Sequence, residues 1–201
     1  MEDYESYVML IDLDSCSGCH ACSVACKAEN RPPDGTFRTK VQTAVGGIFP
    51  NVSKQFVPTL CQHCEDAPCI VACPTSAIDH NDQGIVVVRD DLCIGTGICV
   101  EACPYGAIIF NEEKGLAEKC DFCEGRLADG ESPACVSTCP TDAFHFGLNS
   151  DPLIQSLLQN AAYSGSTSQW ELEESRPHIF YKGLKKETLA ALSRINPLGT
   201  E

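Results

Sequence analysis

Fifteen cysteines dominate the chemistry open to this 201-residue chain, and they stand in four blocks. The first block holds Cys16, Cys19, Cys22 and Cys26; the second holds Cys61, Cys64, Cys69 and Cys73. The third holds only Cys93, Cys99 and Cys103, and the fourth holds Cys120, Cys123, Cys135 and Cys139. Every block ends in two cysteines separated by three residues, and three of the blocks run on into a proline, at Pro74, Pro104 and Pro140. Thiols at this density serve disulfides, zinc sites or iron–sulfur clusters.

Disulfides fail on three counts. Residues 1–15 carry no basic region, long apolar run or small-residue cleavage site, so no export signal is expected on the chain itself. The cysteine count is odd. The spacings are tight and repeated, where disulfide frameworks are irregular. Zinc sites use two cysteine pairs across a longer loop, not three close cysteines ending in C-P. The spacing matches the bacterial ferredoxin run C-x2-C-x2-C-x3-C-P, whose fourth cysteine ligates the other cluster of a pair. Two-residue gaps let a tight loop wrap three thiolates round three corners of a cube. The last cysteine is expected at the start of a helical turn, pointing toward a neighbouring cube. The proline then keeps the chain from re-wrapping the first.

Block three has Thr96 where a second cysteine belongs. A threonine hydroxyl is hard and almost never ionised at neutral pH, so it is a poor iron ligand. A cube lacking one thiolate tends to lose that iron. The expectation is three [4Fe–4S] clusters and one [3Fe–4S] cluster. Other readings stay open: a four-iron cluster with water, hydroxide or Thr96 as fourth ligand, a position outside any cluster, or an open iron that takes substrate.

Lesser features lie beside the cysteines. His20 and His63 sit inside ligand loops and read as surface or supporting histidines rather than ligands, since thiolates already fill those sites. Lys27 and Lys119 flank ligand cysteines and are either tuning charges or ordinary solvated lysines. Tyr105 reads as core, and Asp66-Ala67-Pro68 as a loop extension.

The elements that must hold these loops are short. VMLIDLD, IVVVRD, AIIFN and AFHFG read as strands. CSVACKAEN, CIVACPTSA and CVEACP read as short helices. Residues 32–58 read as a strand-and-turn insertion. Residues 151–162 read as a helix with an Asp–Pro start, 163–175 as a loop and 185–195 as a second helix. The sum is an α+β fold. No apolar run approaches the roughly 20 residues of a bilayer span. The net charge of -14 argues against nucleic acid and anionic lipid as partners. No nucleophile elbow, phosphate loop or dinucleotide fingerprint is present, so a stand-alone enzyme is not expected.

Residues 7–147 resemble a known family through YVMLIDLDSCSGCHACSVACKAEN, CQHCEDAPCIVACPTSAI, CVEACPYGAI and AEKCDFC…ACVSTCPTDA. The family is that of the four-cluster ferredoxin-like subunits of molybdopterin oxidoreductase complexes, such as polysulfide, thiosulfate, dimethyl sulfoxide and nitrate reductases. RPHIFYKGL resembles their closing strand. The resemblance implies four ligand sets. Cys16, Cys19 and Cys22 join Cys139; Cys120, Cys123 and Cys135 join Cys26. Cys61, Cys64 and Cys69 join Cys103; Cys93 and Cys99 join Cys73 at the defective site. In the nitrate reductase branch a tryptophan stands where this chain has Thr96, and that site holds a three-iron cluster by the electron exit.

This pairing implies two bacterial-ferredoxin-like double-cluster units, one inserted in the other. Residues 1–60 and 110–147 form the first, 61–109 the second, and 148–201 a short C-terminal extension. The implied function is a non-catalytic electron wire between a large molybdopterin or tungstopterin catalytic subunit and a membrane anchor, quinone-interacting subunit or soluble partner. The resemblance places the complex at the outer, periplasmic face of a membrane by co-export with a partner; the alternative is cytoplasmic. The same blocks would serve a hydrogenase, carbon monoxide dehydrogenase, formate dehydrogenase or tungsten aldehyde oxidoreductase. A structural metal-binding protein is the rival of another class.

Overall fold

Strand β1 (Tyr7–Asp12) is buried on both faces, and much of the fold follows from covering it. The computed structural model describes residues 5–159 and 175–184, with positions 188 and 192. Successive strand side chains point to opposite faces. Met9 and Ile11 therefore join the main core among the cysteines, while Val8 and Leu10 join a smaller core with Ile154. Ile154 belongs to helix α6 (Pro152–Leu158), with Leu157 and Leu158 packed alongside. The Asp151 side chain caps α6, accepting from the N–H of Leu153 at 2.7 Å and of Ile154 at 3.4 Å. Such a cap is worth about 1 kcal/mol.

Two strands flank β1. Strand β8 (Phe144–Leu148) runs antiparallel, with Met9 opposite Phe146, and β9 (Ile179–Lys182) runs parallel, with Ile11 opposite Tyr181. The closing segment after residue 175 is thus a true strand of the sheet. Three two-stranded sheets complete the β structure of the described residues: β2 (Lys40–Ile48) with β3 (Asn51–Thr59), β4 (Ile78–His80) with β5 (Val86–Val88), and β6 (Ile108–Asn111) with β7 (Leu116–Lys119). The hairpin β2–β3 is the insertion expected over 32–58. Its Phe56 ring fills the space where a Cβ on Gly18 would stand, so the first ligand loop needs glycine there.

The helices are α1 (Ala21–Asn30), α2 (Pro68–Ala72), α3 (Ile98–Ala102), α4 (Glu124–Ala128) and α5 (Ala134–Ser137), besides α6. Helix α1 packs on α5, and α2 on α3. One expectation is corrected here. The last cysteine of a block does not open a helical turn: Cys73 and Cys103 are the residues that close α2 and α3, and Cys26 lies inside α1. Proline after the cysteine ends the helix because it offers no N–H and clashes with the turn before it. Of the Asp66–Pro68 extension one residue is helical, since Pro68 is the first residue of α2, where a missing N–H costs nothing.

The segment before β9 folds over the second ligand loop. Backbone N–H groups of Glu65 and Asp66 donate to the carbonyls of Arg176 and Ser175, at 2.9 and 3.2 Å, and that of His178 donates to Gln62 at 2.9 Å. Of the helix expected over 151–162, Pro152–Leu158 is helical, and residues 160–162 lie outside the described residues. Of the helix expected over 185–195, positions 188 and 192 are described and both are helical and buried. The loop at 163–174 lies outside the described residues. Among the described residues no helix is long and apolar enough to cross a membrane.

Candidate metal centre

Each C-P-x-x-A stretch builds the same small device. The N–H of Ala77 donates to the sulfur of Cys73 at 3.2 Å, that of Ala107 to Cys103 at 3.4 Å, and that of Ala143 to Cys139 at 3.4 Å. The proline turns the chain so that an amide four residues on faces back to the sulfur. All three alanines are buried, leaving no room for a larger side chain. Hydrogen bonds to a ligand sulfur favour its charged form. At Cys73 the backbone donors of Thr75, Ala77 and Ile78 outweigh burial and hold the thiol below its ordinary range.

The thiols lie in four groups. Cys139 lies in the neighbourhood of Cys16 and Cys22, and Cys19 in that of Cys16. Cys26 neighbours Cys120, Cys123 and Cys135. Cys61, Cys64, Cys69 and Cys103 line one cavity. Cys73, Cys93 and Cys99 line another. The groups also adjoin: Cys135 neighbours Cys22, and Cys120 neighbours Cys61.

Two observations test whether an iron–sulfur cluster suits these residues. Among the described residues no three His, Cys, Asp or Glu side chains converge tightly enough to hold one metal ion. A zinc ion needs sulfurs at about 2.3 Å from a single point. Three or four thiols set around one shared cavity, with no single point that all of them reach, instead suit a group with several metal atoms. Burial pushes the thiols of Cys22 and Cys64 up to about 11 and that of Cys69 to about 12. Thiols in such a dry setting ionise when metal binds them. The donor set and the cavities therefore fit iron–sulfur clusters.

Thr96 stands in the wall of the Cys73–Cys93–Cys99 cavity, between Gly95 and Gly97. Gly95 has a left-handed backbone (φ 69°), and its missing side chain admits the carbonyl of Gly115. The ligand loop thus keeps the tight shape of its sister loops and offers a hydroxyl where they offer sulfur.

The lesser residues resolve differently from one another. His20 is exposed, but His63 is fully buried, so the surface reading of His63 is corrected. Among the described residues neither nitrogen of His63 has a partner, and burial holds it well below the usual histidine range. Lys119 is buried too, not solvated: its ammonium donates to the carbonyls of Val86 and Cys120. Lys27 donates to the carbonyls of Pro32, Pro33 and Thr36, tying α1 to the chain that follows it. Tyr105 is core, as its setting suggested, and its hydroxyl meets Ser175 at 2.8 Å.

Sequence reasoning missed two residues. The Asn30 side-chain amide donates to the Cys26 carbonyl at 3.1 Å and lies 3.6 Å from the sulfur of Cys26 and 3.8 Å from that of Cys123. Arg38 donates to the Asn30 carbonyl oxygen at 3.0 Å and pairs with Asp121 and Glu118 at 3.2 and 3.4 Å. Asn30 lies four residues after Cys26, as the alanines do after their cysteines, and that spacing was the available signal.

Residues 52–149 match the model of the 4Fe-4S dicluster domain family. The chain is 45% identical to the thiosulfate reductase electron transfer subunit of Salmonella typhi over 178 residues, 84% of this chain and 93% of that one. It is 43% identical to the B component of the Wolinella succinogenes polysulfide reductase over 151 residues, 74% of this chain and 79% of that one. It is 40% identical to the B component of the Salmonella typhimurium tetrathionate reductase over 182 residues, 89% and 72% of the two chains.

Proposed function

We propose, from the premise that the protein belongs to the 4Fe-4S dicluster family of reductase electron-transfer subunits, that it holds four iron–sulfur clusters in a row and relays electrons through them. Its partners in this reading are a molybdopterin catalytic subunit at one end and a quinone-linked membrane or soluble partner at the other. The proposed ligand sets are Cys16, Cys19, Cys22 and Cys139; Cys26, Cys120, Cys123 and Cys135; Cys61, Cys64, Cys69 and Cys103; and Cys73, Cys93 and Cys99. One observation carries the reading: in every group, thiols from one block lie beside the last cysteine of another.

The packing of α1 on α5 and of α2 on α3 supports two ferredoxin-like units, with 61–109 inserted between 1–60 and 110–147. The adjoining groups, Cys22 by Cys135 and Cys120 by Cys61, support three sites in a row, and the short step from Cys69 to Cys73 supports the fourth beside them. A bound cluster takes up and passes on single electrons, at potentials that such centres set between about -700 and +450 mV. The chain's own part is to fix the thiols, exclude water and direct N–H donors at sulfur. Thr96 makes the Cys73 site a three-iron site in this reading, since its hydroxyl supplies no thiolate.

Iron and acid-labile sulfide analysis of the anaerobically purified chain tests the assignment. About fifteen irons per chain are expected, from three four-iron clusters and one three-iron cluster. Zinc in their place, or a colourless protein, overturns it. Low-temperature paramagnetic resonance of the oxidised protein tests the Thr96 site separately. A three-iron signal is expected, and a silent oxidised sample assigns four irons there without touching the wire. The proposed location is a membrane-associated complex on the outer face, reached by export with a partner; protease treatment of spheroplasts tests it.

A further inference from the structure

His63 lies inside the Cys61–Cys64 ligand loop and is fully buried. Its backbone is left-handed, with φ 46°. A residue with a side chain keeps that conformation only where its surroundings hold it. One face of the imidazole lies on the ring of Phe122, with centroids 3.7 Å apart and planes 22° from parallel. Phe122 stands inside the Cys120–Cys123 loop and is left-handed as well, with φ 54°. Two ligand loops from opposite ferredoxin-like units therefore meet through a pair of stacked rings.

The ring nitrogens have no partner among the described residues. A neutral imidazole carries one N–H donor and one acceptor nitrogen. Burying a donor with nothing to receive it is unfavourable. A phenylalanine would fill the same space and stack on Phe122 without that cost. The nearby ammonium of Lys119 cannot receive the proton, because it has only donors and turns them to the carbonyls of Val86 and Cys120. Of the other polar side chains on the two loops, Asp121 holds Arg38 and the Cys123 N–H, and Gln62 turns to Leu60 and Tyr181, which leaves the thiols of Cys61, Cys64, Cys120 and Cys123 as the acceptors these loops offer.

We propose that His63 donates an imidazole N–H to a sulfur of one of the two clusters held by its own loop and by the Phe122 loop, and so sets the potential at the step between the two units. The proposal rests on the cluster assignment above. A donor aimed at sulfur stabilises the more negative, reduced state, so His63 raises the potential of the cluster it touches.

The experiment is a redox titration, followed by paramagnetic resonance, of the full chain carrying His63→Phe or His63→Gln. Iron and sulfide content are measured first, so a failed cluster assignment is distinguished from a failed role for His63. In the His63→Phe protein one four-iron couple is expected to shift to lower potential while the others hold. The His63→Gln protein, which keeps an amide donor, is expected to recover part of the shift. Four unmoved couples in a fully loaded His63→Phe protein overturn the proposal. A second measurement uses the native chain labelled with nitrogen-15 histidine, so it stands if His63→Phe loads poorly. The reduced protein should show a nitrogen hyperfine coupling on a cluster signal, and that coupling should vanish in labelled His63→Gln. No coupling in the native protein, or one that persists in His63→Gln, overturns the proposal.

Discussion

The side-chain amide of Asn30 faces the sulfur of Cys26 at 3.6 Å, taking the part that a backbone N–H plays at Cys73, Cys103 and Cys139. Block one lacks the proline that ends the helix in the other blocks, so α1 continues through Cys26. Inside a helix the amide four residues on is bound to a backbone carbonyl and is not free for sulfur. A side chain at the same offset supplies the donor instead. Asn30 also reaches Cys123, at 3.8 Å, and its carbonyl oxygen is fixed by Arg38.

Asn30→Leu removes a donor from two proposed ligands of one cluster. The expected result is a fall in the potential of that couple alone, on the order of tens of millivolts, where 59 mV is tenfold for one electron. Voltammetry of the loaded protein checks it. A uniform shift of all couples would mean that the substitution loosens the fold as a whole rather than acting through Cys26 and Cys123.

Thr96→Cys supplies sulfur at the one ligand-loop position that lacks it. The loop already has the backbone of its sister loops, so the new thiol needs no rearrangement. The oxidised three-iron signal is expected to disappear, and iron content should rise by about one per chain. Iron analysis and paramagnetic resonance on the same sample check this. If the signal persists in a protein that carries the new cysteine, position 96 faces away from the missing corner.

What the sequence displayed and what it hid divide along physical lines. The cysteine blocks were legible because ligand spacing is local. Strands β1, β5, β6 and β8 were legible as short apolar, β-branched or aromatic runs. Strand β4 (IDH) and strand β7 (LAEK) carry no such pattern and exist because β5 and β6 pair with them. The burial of Lys119 could not be read from its type, since lysine is rarely buried. It became visible only when β5 placed the Val86 carbonyl against it. The proline after the last cysteine was read as keeping the chain off the first cluster; in the structure Pro74 and Pro104 follow helices that end at Cys73 and Cys103, which moves those residues from the start of a turn to the end of a helix.

Tyr105 and Arg176 hold the same C-terminal segment over the second ligand loop, but with unequal strength. Arg176 pairs with Asp66 and Glu65 on the surface, each about half exposed. Exposed pairs contribute little and weaken in salt. Tyr105 makes a buried bond to Ser175, worth about 0.5–1.5 kcal/mol. Tyr105→Phe is therefore expected to speed chelator bleaching of the clusters several-fold, and Arg176→Ala less than about twofold. Bleaching rates measured at low and high salt check both. Faster bleaching in Arg176→Ala than in Tyr105→Phe would show that the surface pairs, not the buried hydroxyl, keep the segment down.

Asp12 ends β1 and meets Lys182 of β9, with the ammonium 2.7 Å from the carboxylate. Burial alone would push this carboxyl up, but the Lys182 hydrogen bond and charge and the Asp14 N–H outweigh it, and Asp12 sits below the ordinary aspartate range. A carboxyl lowered by folding stabilises the folded state above its unfolded value, and that contribution is lost as pH falls through the folded value. Asp12→Asn is expected to be less stable than the native protein by about 1 kcal/mol at pH 7. The gap should stay constant down to about pH 4, where free aspartate titrates, and close below it. Urea midpoints of cluster bleaching, compared between the two proteins at each pH, check this, because acid attack on the clusters is common to both. A gap that widens on acidification would mean that Asp12 is raised rather than lowered, and that Lys182 does not hold it.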